Sequence, residues 1–231
     1  MKWLGNHWQL LALSALVFAL WQTPLVVPLK ILIVFLHEVS HALAALATGG
    51  SVESISVNPA QGGLTVTRGG SLFAILSAGY LGSLAIGALI LLIALRTHWD
   101  RALMGALGVA MLLITALYIR EGFAFAFGLG GGALMLAIAW FLPRDINDMA
   151  LRLIGLVSLI YVPWDIFNDT IERASERSDA YMLAEQVGGA TMFWGGLWLV
   201  VSALVIAAAL RWGLGARSNI WPAGSHARAR P

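Results

Sequence analysis

Apolar residues run along this chain in long blocks rather than alternating singly with polar ones. Blocks long enough to cross a bilayer as helices, about 20 residues each, occupy roughly 5–23, 27–48, 71–95, 101–119, 122–142, 149–171 and 190–212. The pattern predicts an all-α membrane protein, a polytopic bundle of about six or seven transmembrane helices making a single membrane-embedded domain over residues 1–231. The first block is the weakest, because Pro24 and Pro28 mark a break that shortens or tilts it, so six and seven spans both stay open. It is read as a retained span rather than a signal peptide: Lys2 supplies a basic start, but no small-residue cleavage site follows Trp21-Gln22-Thr23-Pro24. Spans 101–119 and 122–142 are separated only by Arg120-Glu121-Gly122, a tight helical hairpin.

The pattern changes between residues 49 and 70. Gly49-Gly50 reads as a glycine stop for the preceding helix. Ser51–Val57 and Leu64–Thr67 then alternate or favour β-branched residues, with Asn58-Pro59-Ala60-Gln61-Gly62-Gly63 between them, which predicts a short β-hairpin. It serves either as a connection at the membrane surface or as an edge strand for an extended peptide substrate. Within 71–95, Gly79, Ser83 and Gly87 recur every four residues, a small-residue stripe suited to close helix packing, including against the preceding span. Gly130-Gly131-Gly132 reads as a flexible point; it lacks the lysine and hydroxyl residue of a phosphate loop. No internal repeat is found, which argues against a transporter built from inverted halves.

Composition agrees with the block pattern. Of 231 residues, 59% are hydrophobic and 11% charged, against about 25% charged in soluble domains, and the mean hydropathy is +0.82. The net charge of +2 is spread over loops and a tail, so nucleic acid is not expected as a partner; the lipid bilayer is. With seven spans, one side holds Lys30, Arg96, Arg101, Arg144, Arg152 and the tail arginines Arg211, Arg217, Arg228 and Arg230. The other holds Lys2, Arg68, Arg120, Arg173 and Arg177, so the excess predicts a cytoplasmic C-terminus. Cysteine is absent, which excludes disulfides, thiolate nucleophiles and cysteine zinc sites.

Chemistry concentrates in His37-Glu38-Val39-Ser40-His41, inside an otherwise apolar span that also carries Lys30 near its start. Ionisable groups within a span are costly and mark function by default. Histidines four apart share one helix face and can both reach one metal ion, and Glu38 beside them can act as a general base toward water. A catalytic zinc takes three protein ligands and leaves a position for water, so a third donor is required. With no cysteine, a carboxylate is the natural choice, and Asp165 and Asp169 lie four apart in the span 149–171. That span and 27–48 run in the same direction, so their depths compare. At about 1.5 Å per residue, His41 lies about 21 Å along its span, Asp165 about 24 Å and Asp169 about 30 Å. Asp165 is the expected third ligand on depth, with Asp169 as the runner-up, or as a helix-end residue paired with Arg173.

Phe35-Leu36-His37-Glu38-Val39-Ser40-His41-Ala42, Gly49-Gly50, Gly62-Gly63-Leu64-Thr65, Ser77-Ala78-Gly79-Tyr80-Leu81-Gly82-Ser83, Asp165–Ile171 and Ser178-Asp179-Ala180 occur in this order along the chain. On these segments the sequence resembles the site-2-protease-like family of membrane-embedded zinc metallopeptidases, in its small branch without a PDZ domain. The resemblance implies Zn²⁺ as cofactor, His37 and His41 as ligands, Glu38 as the catalytic glutamate and a third ligand from the second aspartate-bearing span. It departs from better-known members at that third ligand, where an Asn-Pro…Asp-Gly type of motif is replaced by an aspartate followed by isoleucine.

The leading expectation is an intramembrane zinc endopeptidase acting on membrane-protein or peptide substrates. A metal-ion carrier or sensor could use the same His/Asp cluster, but a transit site has no need of Glu38; a catalytically silent scaffold has no need of the cluster at all.

Overall fold

The computed structural model describes residues 8–174 and 177–213. Among these, six helices are long and apolar enough to cross a membrane. They are α2 (Val27–Ala47), α3 (Leu72–Arg96), α4 (Asp100–Tyr118), α5 (Gly122–Phe141), α6 (Arg144–Phe167, extended by a π-helical turn over Asn168–Glu172) and α8 (Thr191–Gly213). The chain is an integral multi-pass membrane protein. Within the described residues the first apolar block forms α1, Trp8–Leu20. At 1.5 Å per residue its 13 residues reach about 20 Å, short of the ~30 Å hydrocarbon layer. Residues 5–7 of the first block lie outside the described residues, and among the described residues six helices meet the length and apolarity of a span. Lys2, Arg217, Arg228 and Arg230, which carry part of the charge asymmetry, lie outside the described residues. Arg152 is not a loop charge: it is buried and ion-paired with Asp148 at 2.8 Å.

Burial separates a core from a periphery. In α2, α3 and α6, 67%, 56% and 61% of the most apolar stretch is buried inside the protein, against 22% in α4, α5 and α8. The first three therefore form the centre, and the others offer most of their surface to lipid. The small-residue stripe of α3 serves two neighbours. Gly79 backs onto the histidines of α2, and Gly87 lies against Ser158 of α6 with no room for a side chain at either position. The Ser158 hydroxyl donates to the Ser83 carbonyl at 2.9 Å across the same contact. The glycine run in α5 is continuous helix, and Gly132 meets the backbone of Gly108 on α4, which makes it a packing feature.

α2 begins with Pro28 in its first turn, where a missing N–H costs nothing. It ends as the glycine pair predicts. Gly49 takes φ +84, its N–H bonds to the Leu46 carbonyl and the Gly50 N–H to that of Ala45, a Schellman closure. The chain turns directly into β1 (Ser51–Val57), which pairs antiparallel with β2 (Gly63–Arg68) through Val57↔Gly63 and Ile55↔Thr65. Ile55 and Val57 are buried and hold the hairpin down on the bundle. Asn58 shapes the tip by accepting from the N–H groups of Ala60 and Gly62. After α6, a short helix α7 (Asp179–Val187) starts with Ser178 as its cap and packs between the π-helical turn, α3 and α8.

Candidate metal centre

The helical period of α2 does what the spacing requires. His37 and His41 sit one turn apart on the face toward α3 and α7, their rings 4.7 Å apart between centroids and inclined at 78°. One carboxylate oxygen meets both: Asp179 Oδ2 lies 3.0 Å from His37 Nε2 and 3.2 Å from His41 Nε2. Among the described residues, His37, His41 and Asp179 form the group of His and acidic side chains whose ligand atoms converge, all within 4.8 Å of one another. His41 Nδ1 is 2.6 Å from the Ile75 carbonyl of α3. A carbonyl only accepts, so Nδ1 carries the proton. The neutral ring therefore turns the lone pair of Nε2 toward the Asp179 carboxylate. Two acceptors facing each other at 3.2 Å require a cation or a proton between them.

Asp179 reaches this position as the first residue of α7, whose start is fixed by the Ser178 hydroxyl accepting from the Tyr181 N–H. Burial alone would push its carboxyl up. With a proton between His41 and Asp179, the charge of His41 and hydrogen bonds from the imidazoles outweigh that and hold it below the usual carboxylate range.

Glu38 projects from the adjacent position of α2 and is buried. The Thr65 hydroxyl of β2 donates to its Oε2 at 2.7 Å, and its Oε1 lies over the Cα of Gly63, where any side chain would overlap it. This explains a glycine at the start of β2: the strand must pass directly over a carboxylate. His37, Glu38, His41 and Asp179 open on a cavity of about 620 Å³, with β2 from Gly63 to Thr67 forming one wall.

Asp165 and Asp169 line the same cavity without joining the histidine cluster. Asp169 accepts from the Tyr80 hydroxyl at 2.7 Å and pairs with Arg173. The depth comparison that favoured Asp165 assumed a helix starting at 149. α6 starts at Arg144, five residues earlier, so distance from the helix start does not rank Asp165 against His41. The carboxylate that does meet the histidines comes from outside the apolar blocks. The signal that could have found it was the Ser178-Asp179 pair, a helix cap followed by an acid, within a segment that already carried the family resemblance.

No curated protein and no solved structure matches the chain. The family model described as Peptidase M50B-like matches residues 10–209, which include the histidine-bearing helix, the hairpin and Asp179. Among the described residues the sheet content is this one hairpin, with no PDZ unit. Matched over most of its length, the chain belongs to the Peptidase M50B-like family, a site-2-protease family of metallopeptidases.

Proposed function

We propose that this protein is an intramembrane zinc endopeptidase that hydrolyses peptide bonds of membrane-protein substrates, with His37, His41 and Asp179 holding the metal and Glu38 as the general base. The observation that carries the reading is the convergence of His37 Nε2, His41 Nε2 and Asp179 Oδ2, with the proton of His41 committed to Ile75 on the far side of the ring.

The donor set fits the ion. Two ligands about 2.0–2.1 Å from a zinc ion at a tetrahedral angle stand about 3.3 Å apart, close to the 3.0 and 3.2 Å separating Asp179 from the two imidazoles. Two nitrogens and one oxygen, with a cavity on the open side, are the three-ligand arrangement of a catalytic rather than a structural site. Zinc bound there supplies Lewis-acid polarisation of a carbonyl and acidifies a water molecule.

The chain's own groups do the rest. Glu38 Oε1 is the oxygen left free of the Thr65 bond, and it accepts the proton of the attacking water and returns it to the leaving amine. Thr65 fixes the other oxygen, so the carboxylate cannot rotate away from that task. β2 is one strand of a two-stranded sheet, and its residues wall the cavity. A substrate segment unwound from its helix can add to it as an extended strand, which presents a peptide bond that a helix would conceal.

The test uses purified full-length protein and the Glu38→Gln variant, with zinc measured by elemental analysis and cleavage followed on single-span model substrates. The expected result is near-stoichiometric zinc in both and cleavage only in the unsubstituted protein. Absence of zinc from the unsubstituted protein, or undiminished cleavage by Glu38→Gln, would overturn the reading.

A further inference from the structure

The two histidines are held in different ways. His41 has a fixed partner behind the ring, the Ile75 carbonyl, as metal-binding histidines usually do. His37 has none: among the described residues no hydrogen bond holds its Nδ1, and its Nε2 faces Asp179. What meets the His37 ring instead is Tyr80 of α3. The ring centroids are 4.6 Å apart with planes at 83°, an edge-to-face contact. On its other side Tyr80 is backed by Trp198 of α8 at 5.4 Å, and it is 2% exposed. The neighbouring Gly79 brings the α3 backbone against the same imidazole, so α3 brackets the ring from two directions.

Tyr80 is itself tied down. A buried phenol needs a partner for its hydroxyl, and Tyr80 donates to Asp169 Oδ2 at 2.7 Å, while the other oxygen of Asp169 pairs with Arg173. A connected line thus runs from the end of α6 through Asp169 and Tyr80 to His37. We propose that Tyr80, anchored through its hydroxyl by Asp169, is the positioning residue that sets the orientation of His37 at the metal. The proposal rests on the reading of His37 as a ligand. It also gives Asp169 a role: this carboxylate acts on the centre from one residue away, holding the phenol that holds the imidazole.

The test is a double-mutant cycle on Co²⁺ binding, with the visible absorption of Co²⁺ as a report on ligand geometry that needs no turnover. Full-length protein in detergent is stripped, loaded with Co²⁺ and competed with a chelator, in parallel for Tyr80→Phe, Asp169→Ala and the double variant. Tyr80→Phe keeps the ring and loses only the hydroxyl. Each single variant is expected to weaken Co²⁺ binding within the roughly 10- to 100-fold range typical of outer-shell partners and to shift the visible band. The double variant is expected to be no worse than the singles, because both remove the same bond. In turnover, kcat falls while KM holds. Unchanged affinity and spectrum in both singles would overturn the proposal, as would losses that multiply fully in the double variant. A lowered unfolding temperature with unchanged Co²⁺ affinity would also overturn it, since that is what a purely structural tyrosine gives. Failure of the unsubstituted protein to bind Co²⁺, or binding that survives His37→Ala, is a different result: it removes the metal centre itself and is read before any Tyr80 variant.

Discussion

Gly79→Ala adds one methyl group where the structure has none to spare. A Cβ built at Gly79 stands 2.6 Å from His37 Cε1 and 2.6 Å from His41 Cε1. Ordinary carbon–carbon contact is about 3.5–4.0 Å, so the rings must retreat by about 1 Å or α3 must move away from α2. A zinc ligand bonds at about 2.0–2.1 Å with little tolerance, and a shift of that size takes both imidazoles out of reach of a common ion. Gly87→Ala is the control, because it crowds Ser158 of α6 from the same helix, two turns away from the centre. Both variants are expected to lose about 1–3 kcal/mol of stability to overpacking, read as unfolding in detergent. Only Gly79→Ala should lose zinc, by at least the ~10–100-fold in affinity expected when a ligand's support is disturbed. Stoichiometric zinc in purified Gly79→Ala, or equal zinc loss in Gly87→Ala, would refute the claim that α3 sets the position of the imidazoles by direct contact.

Two further outcomes follow from the same geometry. Asp179→Asn should abolish or strongly weaken zinc retention while Asp165→Asn keeps it, and elemental analysis of the two proteins side by side decides between the carboxylates. Thr65→Val removes the hydroxyl that holds Glu38 Oε2; a hydrogen bond to a buried charge contributes about 1.5–3 kcal/mol, so cleavage should fall by about one to two orders of magnitude with zinc unchanged, and Thr65→Ser should restore it.

The parts of this fold legible in the sequence are those dictated by local period or local backbone chemistry. His37 and His41 needed only the helical repeat to share a face. The Gly49-Gly50 stop needed only a residue able to take φ +84, and the hairpin needed its β-branched alternation around a turn-forming segment. What was not legible depended on contacts between distant segments. The start of α6, Arg144-Asp145-Ile146-Asn147-Asp148, reads in the sequence as a polar stretch outside the apolar block. In the fold it is helical, because Asp100 at the start of α4 pairs with Arg144 at 2.8 Å and Asp148 pairs with Arg152 at 2.8 Å, so burying those charges becomes tolerable. With the helix beginning there, distance counted from the start of the apolar block is no measure of where Asp165 lies against His41. Asp179 was missed for a related reason: depth comparison ranks residues on spans, and Asp179 sits on a short helix that folds back into the cavity after the span has ended.

The charge balance of the centre explains why such a cluster can be buried in an otherwise apolar bundle. Glu38 and Asp179 are both buried carboxylates, and two isolated negative charges in a low-dielectric interior would be prohibitive. With a divalent cation between two neutral imidazoles the sum of the cluster would be zero. A third carboxylate at the histidines would break that balance. Asp165 and Asp169 lie outside the converging group, and Asp169 stands beside its own cation, Arg173. Under the proposed assignment, that placement leaves Glu38 and Asp179 as the two carboxylates that would balance a single divalent ion.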